Sequence, residues 1–244
     1  MGAGIGNGVI QIRGLVKRFG DRYVLHDIDL QIDSGEMFAL VGINSAGKTT
    51  IIKSLLDFAS FEAGEIMIFG KRHDRHEARA ELAYLPERFV PPYYLTGRDF
   101  LKYSARLHGG RYDEENALVV IDSLELDASA LAWSVRRYSK GMAQKLGLAA
   151  TFLANKRLLV LDEPMSGLDP KARILVKRAL LRQCDTGCTV FLTTHMLADV
   201  HSLCDRLAVL HAGRIVFSGS PAACLQQFSC DYLEDAFLAC IEAA

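Results

Sequence analysis

Gly42-Ile43-Asn44-Ser45-Ala46-Gly47-Lys48-Thr49-Thr50 follows the apolar run Met37-Phe38-Ala39-Leu40-Val41 and leads into Ile51-Ile52-Lys53-Ser54-Leu55-Leu56. The first flank reads as a strand and the second as a helix. Strand, glycine-bounded loop, Lys-Thr and helix, in that order, is the context a phosphate-binding loop needs. Gly42 and Gly47 let the backbone turn so that successive N–H groups face phosphate oxygens. The helix start adds a partial positive charge at the same place. Lys48 supplies a point charge for the outer phosphates, and the Thr49 hydroxyl is a Mg²⁺ ligand. Asn44, Ser45, Ala46 and Thr50 complete the expected nucleotide cradle. The competing reading, a glycine-rich turn without a ligand, loses force once strand and helix are both counted.

A second motif lies downstream. Leu158-Leu159-Val160-Leu161-Asp162-Glu163-Pro164 is an apolar strand that delivers two carboxylates to its C-terminal end. Open α/β sheets bind ligands at that end of their strands. Asp162 is placed to hold a Mg²⁺ shell. Glu163 is placed to orient an attacking water or take its proton. An acidic strand end that merely stays wet is the alternative, and the phosphate loop upstream decides against it.

Around these motifs the pattern alternates strand and helix. Val9 to Ile12, Leu25 to Ile32 and Glu65 to Phe69 read as strands. In the second, Ile28, Leu30 and Ile32 alternate with Asp27, Asp29 and Gln31, which predicts one wet face. Thr96 to Leu107, Asp113 to Leu124 and Gly141 to Leu153 read as helices, with no strand between them. Thr189-Val190-Phe191-Leu192, like Leu158 to Leu161, is a continuous apolar run expected of a strand buried on both faces. Pro170 to Gln183 has helical spacing with proline near its start. Leu207 to Leu210 and Arg214 to Phe217 flank His211-Ala212-Gly213, a hairpin signal. The fold class is therefore α/β, interrupted by a helical insertion over roughly 88–153, in a single domain of 244 residues.

Composition narrows the function classes. Half of the residues (50%) are apolar and 23% are charged, as in ordinary globular chains. A net charge of −1 gives no broad pull toward nucleic acid. No run approaches the roughly 18 apolar residues of a membrane span. Met1 to Gly8 lacks the basic and apolar regions of a signal peptide, so a cytosolic location is expected. The six cysteines (Cys184, Cys188, Cys204, Cys224, Cys230 and Cys240) match no zinc spacing and read as free, mostly buried thiols. His73 and His76, among charged neighbours, read as a solvated loop rather than a metal site.

The remaining motifs resemble those of the ATP-binding-cassette (ABC) ATPases. Arg137-Tyr138-Ser139-Lys140-Gly141-Met142-Ala143-Gln144-Lys145 resembles their signature motif, and Ser166-Gly167-Leu168-Asp169-Pro170 their D-loop. Thr193-Thr194-His195 is similar to their switch histidine, and Tyr84-Leu85-Pro86-Glu87 stands where they carry the Q-loop. Phe19, in Val16-Lys17-Arg18-Phe19-Gly20, resembles the aromatic that stacks on adenine; a core aromatic is the other reading. Tyr232 to Leu238 resembles the closing helix of exporter-type members.

That resemblance implies a P-loop NTPase core with a parallel sheet, an antiparallel β subdomain and the helical insertion. It implies ATP and Mg²⁺, with Thr49, Asp162 and Glu87 around the metal and Glu163 and His195 in catalysis. It implies a head-to-tail partnership with a second nucleotide-binding domain. Each ATP then touches Lys48 of one copy and Ser139, Gly141 and Asp169 of the other. It implies a separate transmembrane permease on the cytoplasmic face of the membrane, reached through the insertion near Phe89-Val90-Pro91-Pro92-Tyr93-Tyr94, a stretch that also reads as a packed loop. Trp133 reads as core.

Three positions depart from the family pattern: Ser45 for a glycine, Lys140 and Met142 for Gly and Gln, and Glu87 for Gln. The Tyr-Ser-Lys-Gly-Met form is similar to that of single-domain exporter ATPases. A soluble ABC ATPase of translation or repair is disfavoured by the single cassette and the lack of a sustained heptad. A non-hydrolysing ATP-binding regulator is disfavoured by intact Glu163 and His195.

Overall fold

The structure, a computed structural model, describes residues 8–243. Apart from Gly8, the N-terminal stretch read for a signal peptide lies outside the described residues. In chain order the elements are β1 (Gly8–Phe19), β2 (Arg22–Asp33), β3 (Met37–Val41), α1 (Lys48–Leu55), β4 (Ala63–Ile68), β5 (Lys71–Arg72), α2 (His76–Arg79), β6 (Leu82–Leu85), α3 (Gly97–Leu107) and α4 (Glu114–Ser123). Then follow α5 (Lys140–Leu153), β7 (Leu158–Asp162), α6 (Pro170–Asp185), β8 (Thr189–Thr194), α7 (Leu197–Leu203), β9 (Arg206–His211), β10 (Arg214–Gly219), α8 (Pro221–Phe228) and α9 (Leu233–Glu242). Two short 3₁₀ turns, Ala128–Ala132 and Val135–Arg137, separate α4 from α5.

The strands form two sheets. The larger has the order β10-β9-β3-β8-β7-β6 and is parallel except for its β9–β10 hairpin. The smaller, β2-β1-β4-β5, is antiparallel. Strand alternation assigns the side chains of the parallel strands to two separate cores. Met37, Ala39, Val41, Leu159, Leu161, Val190 and Leu192 face a core built with α3–α9. Phe38, Leu40, Val160 and Phe191 face the opposite one, where Ile51, Ile52 and Leu55 of α1 meet the inner face of the small sheet. This double burial is why β3, β7 and β8 are apolar without interruption.

In β2, Ile28, Leu30 and Ile32 are buried while Asp27, Asp29 and Gln31 are exposed, so the alternation read from sequence gives the wet face. The strand starting at Val9 continues to Phe19, with register shifts past Ile12 that bend it. β6 has no counterpart in the sequence reading; Leu82-Ala83-Tyr84-Leu85 is short, and only its pairing with β7 makes it a strand. The helical insertion forms α3, α4 and α5, each capped by the polar residue before it: Thr96, Asp113 and Ser139. Those residues accept bonds from first-turn N–H groups, which explains why the helices start there.

Two expectations are corrected. His73 is not solvated: it is buried, its ring 5.2 Å from that of Phe61. Trp133 is not core: it is half-buried, with the Arg137 guanidinium 5.0 Å from its ring centre. The thiols behave as expected. Cys188, Cys204, Cys224 and Cys240 are buried, all six are free, and burial pushes Cys184 up to about 12 and Cys188 to about 11. No helix among the described residues is long and apolar enough to cross a membrane.

Candidate functional site

β3, β8, β7 and β6 run parallel, so the loops after Val41, Thr194, Asp162 and Leu85 all emerge along one edge of the sheet. Those four loops carry the phosphate loop, His195, Glu163 and Glu87. They line one cleft of about 460 Å³, together with Asn44, Ser45, Lys48, Thr49, Thr50 and Asp162.

The phosphate loop needs its glycines for two different reasons. At Gly42 a Cβ would sit 2.5 Å from the Leu210 carbonyl oxygen, so β9 leaves no room for a side chain. Gly47 caps α1 with φ 115°, a conformation closed to other residues without strain. Ser45 also lies at positive φ, 71°, where the family pattern has glycine. Ala46 is buried against Gly42 and also lines the cleft.

Within the cleft, Lys48 Nζ donates to the Gly42 carbonyl at 2.5 Å and lies 3.5 Å from Glu163 Oε1. The Thr49 hydroxyl donates to Asp162 Oδ2 at 3.0 Å. The parallel register sets Thr193 beside Asp162. Thr193 Oγ1 donates to Asp162 Oδ1 at 2.5 Å and accepts from the Glu163 N–H at 3.0 Å. Asp162 is thus aimed by two hydroxyls, one from α1 and one from β8. Glu163 adopts φ 49° and is nearly buried, while His195 Nδ1 lies 3.0 Å from its Oε2. A non-glycine residue in the left-handed region is costly, and such strain concentrates at functional sites. Half-buried Tyr84 stands near both Asp162 and Glu87, and burial with those carboxylates pushes its phenol up to about 12.

Thr49 and Asp162 offer hard oxygen donors side by side, which fits Mg²⁺. Glu87 lines the same cleft, in keeping with its place in the expected metal set.

Other expected residues lie elsewhere. Phe19 is 55% exposed, so the core reading fails. With Tyr23, Ala212 and Gly213 it borders a second cleft, which shares Val24, Ser45 and Thr50 with the first. Ser139, Gly141 and Asp169 border a third, with Trp133 and Met142, and none of its lining residues lines the phosphate cleft. Asp169 caps α6 through the Ala172 N–H, which holds its carboxyl below the usual range.

Two contributors escaped the sequence reading. Thr193 was legible only as part of a motif, not as the group that aims Asp162. Gln144, buried on α5, donates to the Pro164 carbonyl at 2.9 Å and so ties the signature helix to the residue after Glu163. Its one sequence signal was its place in the signature stretch Arg137 to Lys145.

A family model described as "ABC transporter" matches residues 25–166. A Nod factor export ATP-binding protein I of Sinorhizobium fredii is 35% identical over 92% of this chain and 67% of its own length. Its namesake in Burkholderia lata is 35% identical over 92% of this chain and 75% of that one. An uncharacterised ABC transporter ATP-binding protein of Synechocystis is 36% identical over 82% of this chain, and the match spans only 58% of that relative's length. Among solved structures, an ATP-binding subunit of an ABC transporter superposes with a TM-score of 0.86 at 30% identity, covering 95% of this chain and 99% of that one. A nucleotide-free cassette from an ABC transporter, 19% identical with a TM-score of 0.75, shares the fold.

Proposed function

This chain belongs to the ABC transporter family, and on that premise we propose that it is the ATP-binding and ATP-hydrolysing subunit of a transporter, working in export through a separate membrane permease. The observation that carries the reading is the convergence of Lys48, Thr49, Asp162, Glu163 and His195 in one cleft at the carboxyl edge of the sheet. Lys48 and the loop N–H groups hold the triphosphate. Thr49 and Asp162 would hold Mg²⁺, with Glu87 on the same wall, and a metal there would supply positive charge against the outer phosphates. Glu163, strained toward the cleft and hydrogen-bonded to His195, orients the attacking water and takes its proton. His195, on the wall of the same cleft, contacts the terminal phosphate in this reading. Phe19 stacks on the base.

Two copies meet head to tail, bringing Ser139, Gly141 and Asp169 of one to the nucleotide of the other. Residues 88–153 act as the helical part of a single cassette domain and carry the permease contact. The subunit sits peripherally on the cytoplasmic face of the membrane. Export is supported by the names of the Nod factor relatives.

Glu163→Gln tests the reading. It removes the base and leaves Lys48, Thr49 and Asp162 in place. Turnover of Mg-ATP should fall at least about a hundredfold while ATP binding persists. A variant that hydrolyses ATP like the parent removes Glu163 from the reaction.

A further inference from the structure

Asp199, on α7, is 4% exposed and binds two cations from α6: Arg173, and Lys177 at 2.6 Å. Both helices begin at the machinery of the cleft. The first turn of α6 grows directly from the D-loop, and the Arg173 N–H donates to the Asp169 carbonyl at 3.0 Å. The first turn of α7 grows directly from His195, and the Asp199 N–H donates to the Met196 carbonyl at 3.1 Å. Met196 is held in turn, its N–H donating to Thr194 Oγ1 at 3.0 Å. Arg173 also lines a small cavity of about 110 Å³ bordered by Glu163, Ser166 and His195. Lys177 lies one helical turn further on and donates to Ser202 Oγ at 3.2 Å, toward the far end of α7.

We propose that Arg173 and Asp199 are positioning residues that tie the D-loop to the switch histidine. A buried carboxylate fastened to a guanidinium holds a defined distance between the two helix starts. A shift of the D-loop is then carried through Arg173 and Asp199 to Met196 and His195, and so to the bond between His195 and Glu163. The tie makes hydrolysis depend on the placement of the D-loop, whose Gly167, Leu168 and Asp169 border the cleft that holds Ser139. This inference rests on the ATPase reading.

The test compares Arg173→Met with Lys177→Met in the full chain, at concentrations that permit dimerisation. Each variant removes one cation from Asp199 and leaves it the other, so each is expected to fold; a thermal melt checks this, and Arg173→Gln replaces Arg173→Met if the latter does not fold. A merely structural role makes the two substitutions equivalent. Because small displacements of a catalytic group are costly, Arg173→Met should lower kcat about tenfold with KM within about twofold. Lys177→Met should stay within about twofold of the parent on both, and Arg173→Lys should recover most of the loss. In a His195→Ala background Arg173→Met should cost nothing more, since residues that act through one another are not additive. Equal kcat losses in the two variants, or none, overturn the tie while leaving the ATPase reading intact. A parent chain without turnover sinks both.

Discussion

Ser45 and Gly47 hold the two left-handed positions of the phosphate loop, at φ 71° and 115°. Only one of them is a glycine. A left-handed conformation costs an ordinary residue about 1–2 kcal/mol. The loop tolerates that at Ser45, which is exposed and faces the cleft. At Gly47 it does not, because a Cβ there would also meet Leu25 Cδ2 at 2.7 Å. Ser45→Gly relieves strain but loosens the unfolded chain, so the two effects offset within about 1 kcal/mol. Nucleotide affinity should stay within about tenfold, or roughly 1.4 kcal/mol. Titration calorimetry decides the point: abolished binding would make the serine hydroxyl a main phosphate ligand. The strained Glu163 is a different case, since its neighbours Thr193 and His195 hold it at both ends.

The element that joins site to surface is the helical insertion. Phe89 packs inward, its ring 5.4 Å from that of Phe100, and a Cβ at Gly147 of α5 would come within 2.8 Å of it. Pro91 is buried as well, whereas Val90, Tyr93 and Tyr94 are 83%, 70% and 72% exposed. The packed-loop reading therefore holds for Phe89 and fails for the tyrosines. An apolar tip held by a packed base, beside Glu87 of the cleft, fits the proposed permease contact. Tyr93→Glu with Tyr94→Glu places two charges in that contact and touches no core residue. It should release the subunit from membranes and leave ATP binding in solution unchanged. Sedimentation with membranes measures this, and retention of the double variant would move the contact elsewhere.

On the scale of the whole molecule, the residues assigned to one ATP are divided between clefts. Lys48 lines the phosphate cleft; Ser139 and Asp169 line another. A site shared between two copies reconciles them. Lys48→Ala deletes a charge contact and should abolish ATP binding. Ser139→Arg should keep binding but block closure, by placing a long cation where a small hydroxyl must approach. Each variant alone has no complete site. In a mixed pair, the intact Lys48 of one copy meets the intact Ser139 of the other, so one site is whole. Hydrolysis should reappear on mixing and peak near equal amounts. Parental activity in Ser139→Arg alone would place the whole site within one chain.

By itself the sequence determined the phosphate loop, the Asp-Glu strand end, the buried strands and the helices of the insertion. Those features are local: glycine placement, apolar runs, and a polar cap before a helix act within a few residues. The family pattern extended that reading to His195, Ser139 and Asp169. What only the tertiary structure decided depends on pairs far apart in the chain. β6 is a strand because β7 lies beside it, and Thr193 aims Asp162 because parallel register sets them side by side. Gln144 finds its carbonyl in the loop after β7, and Asp199 its cations on another helix. His73 is dry because the chain folds Phe61 back onto it. Burial and charge pairing are properties of the assembled layers, so no window of sequence contains them.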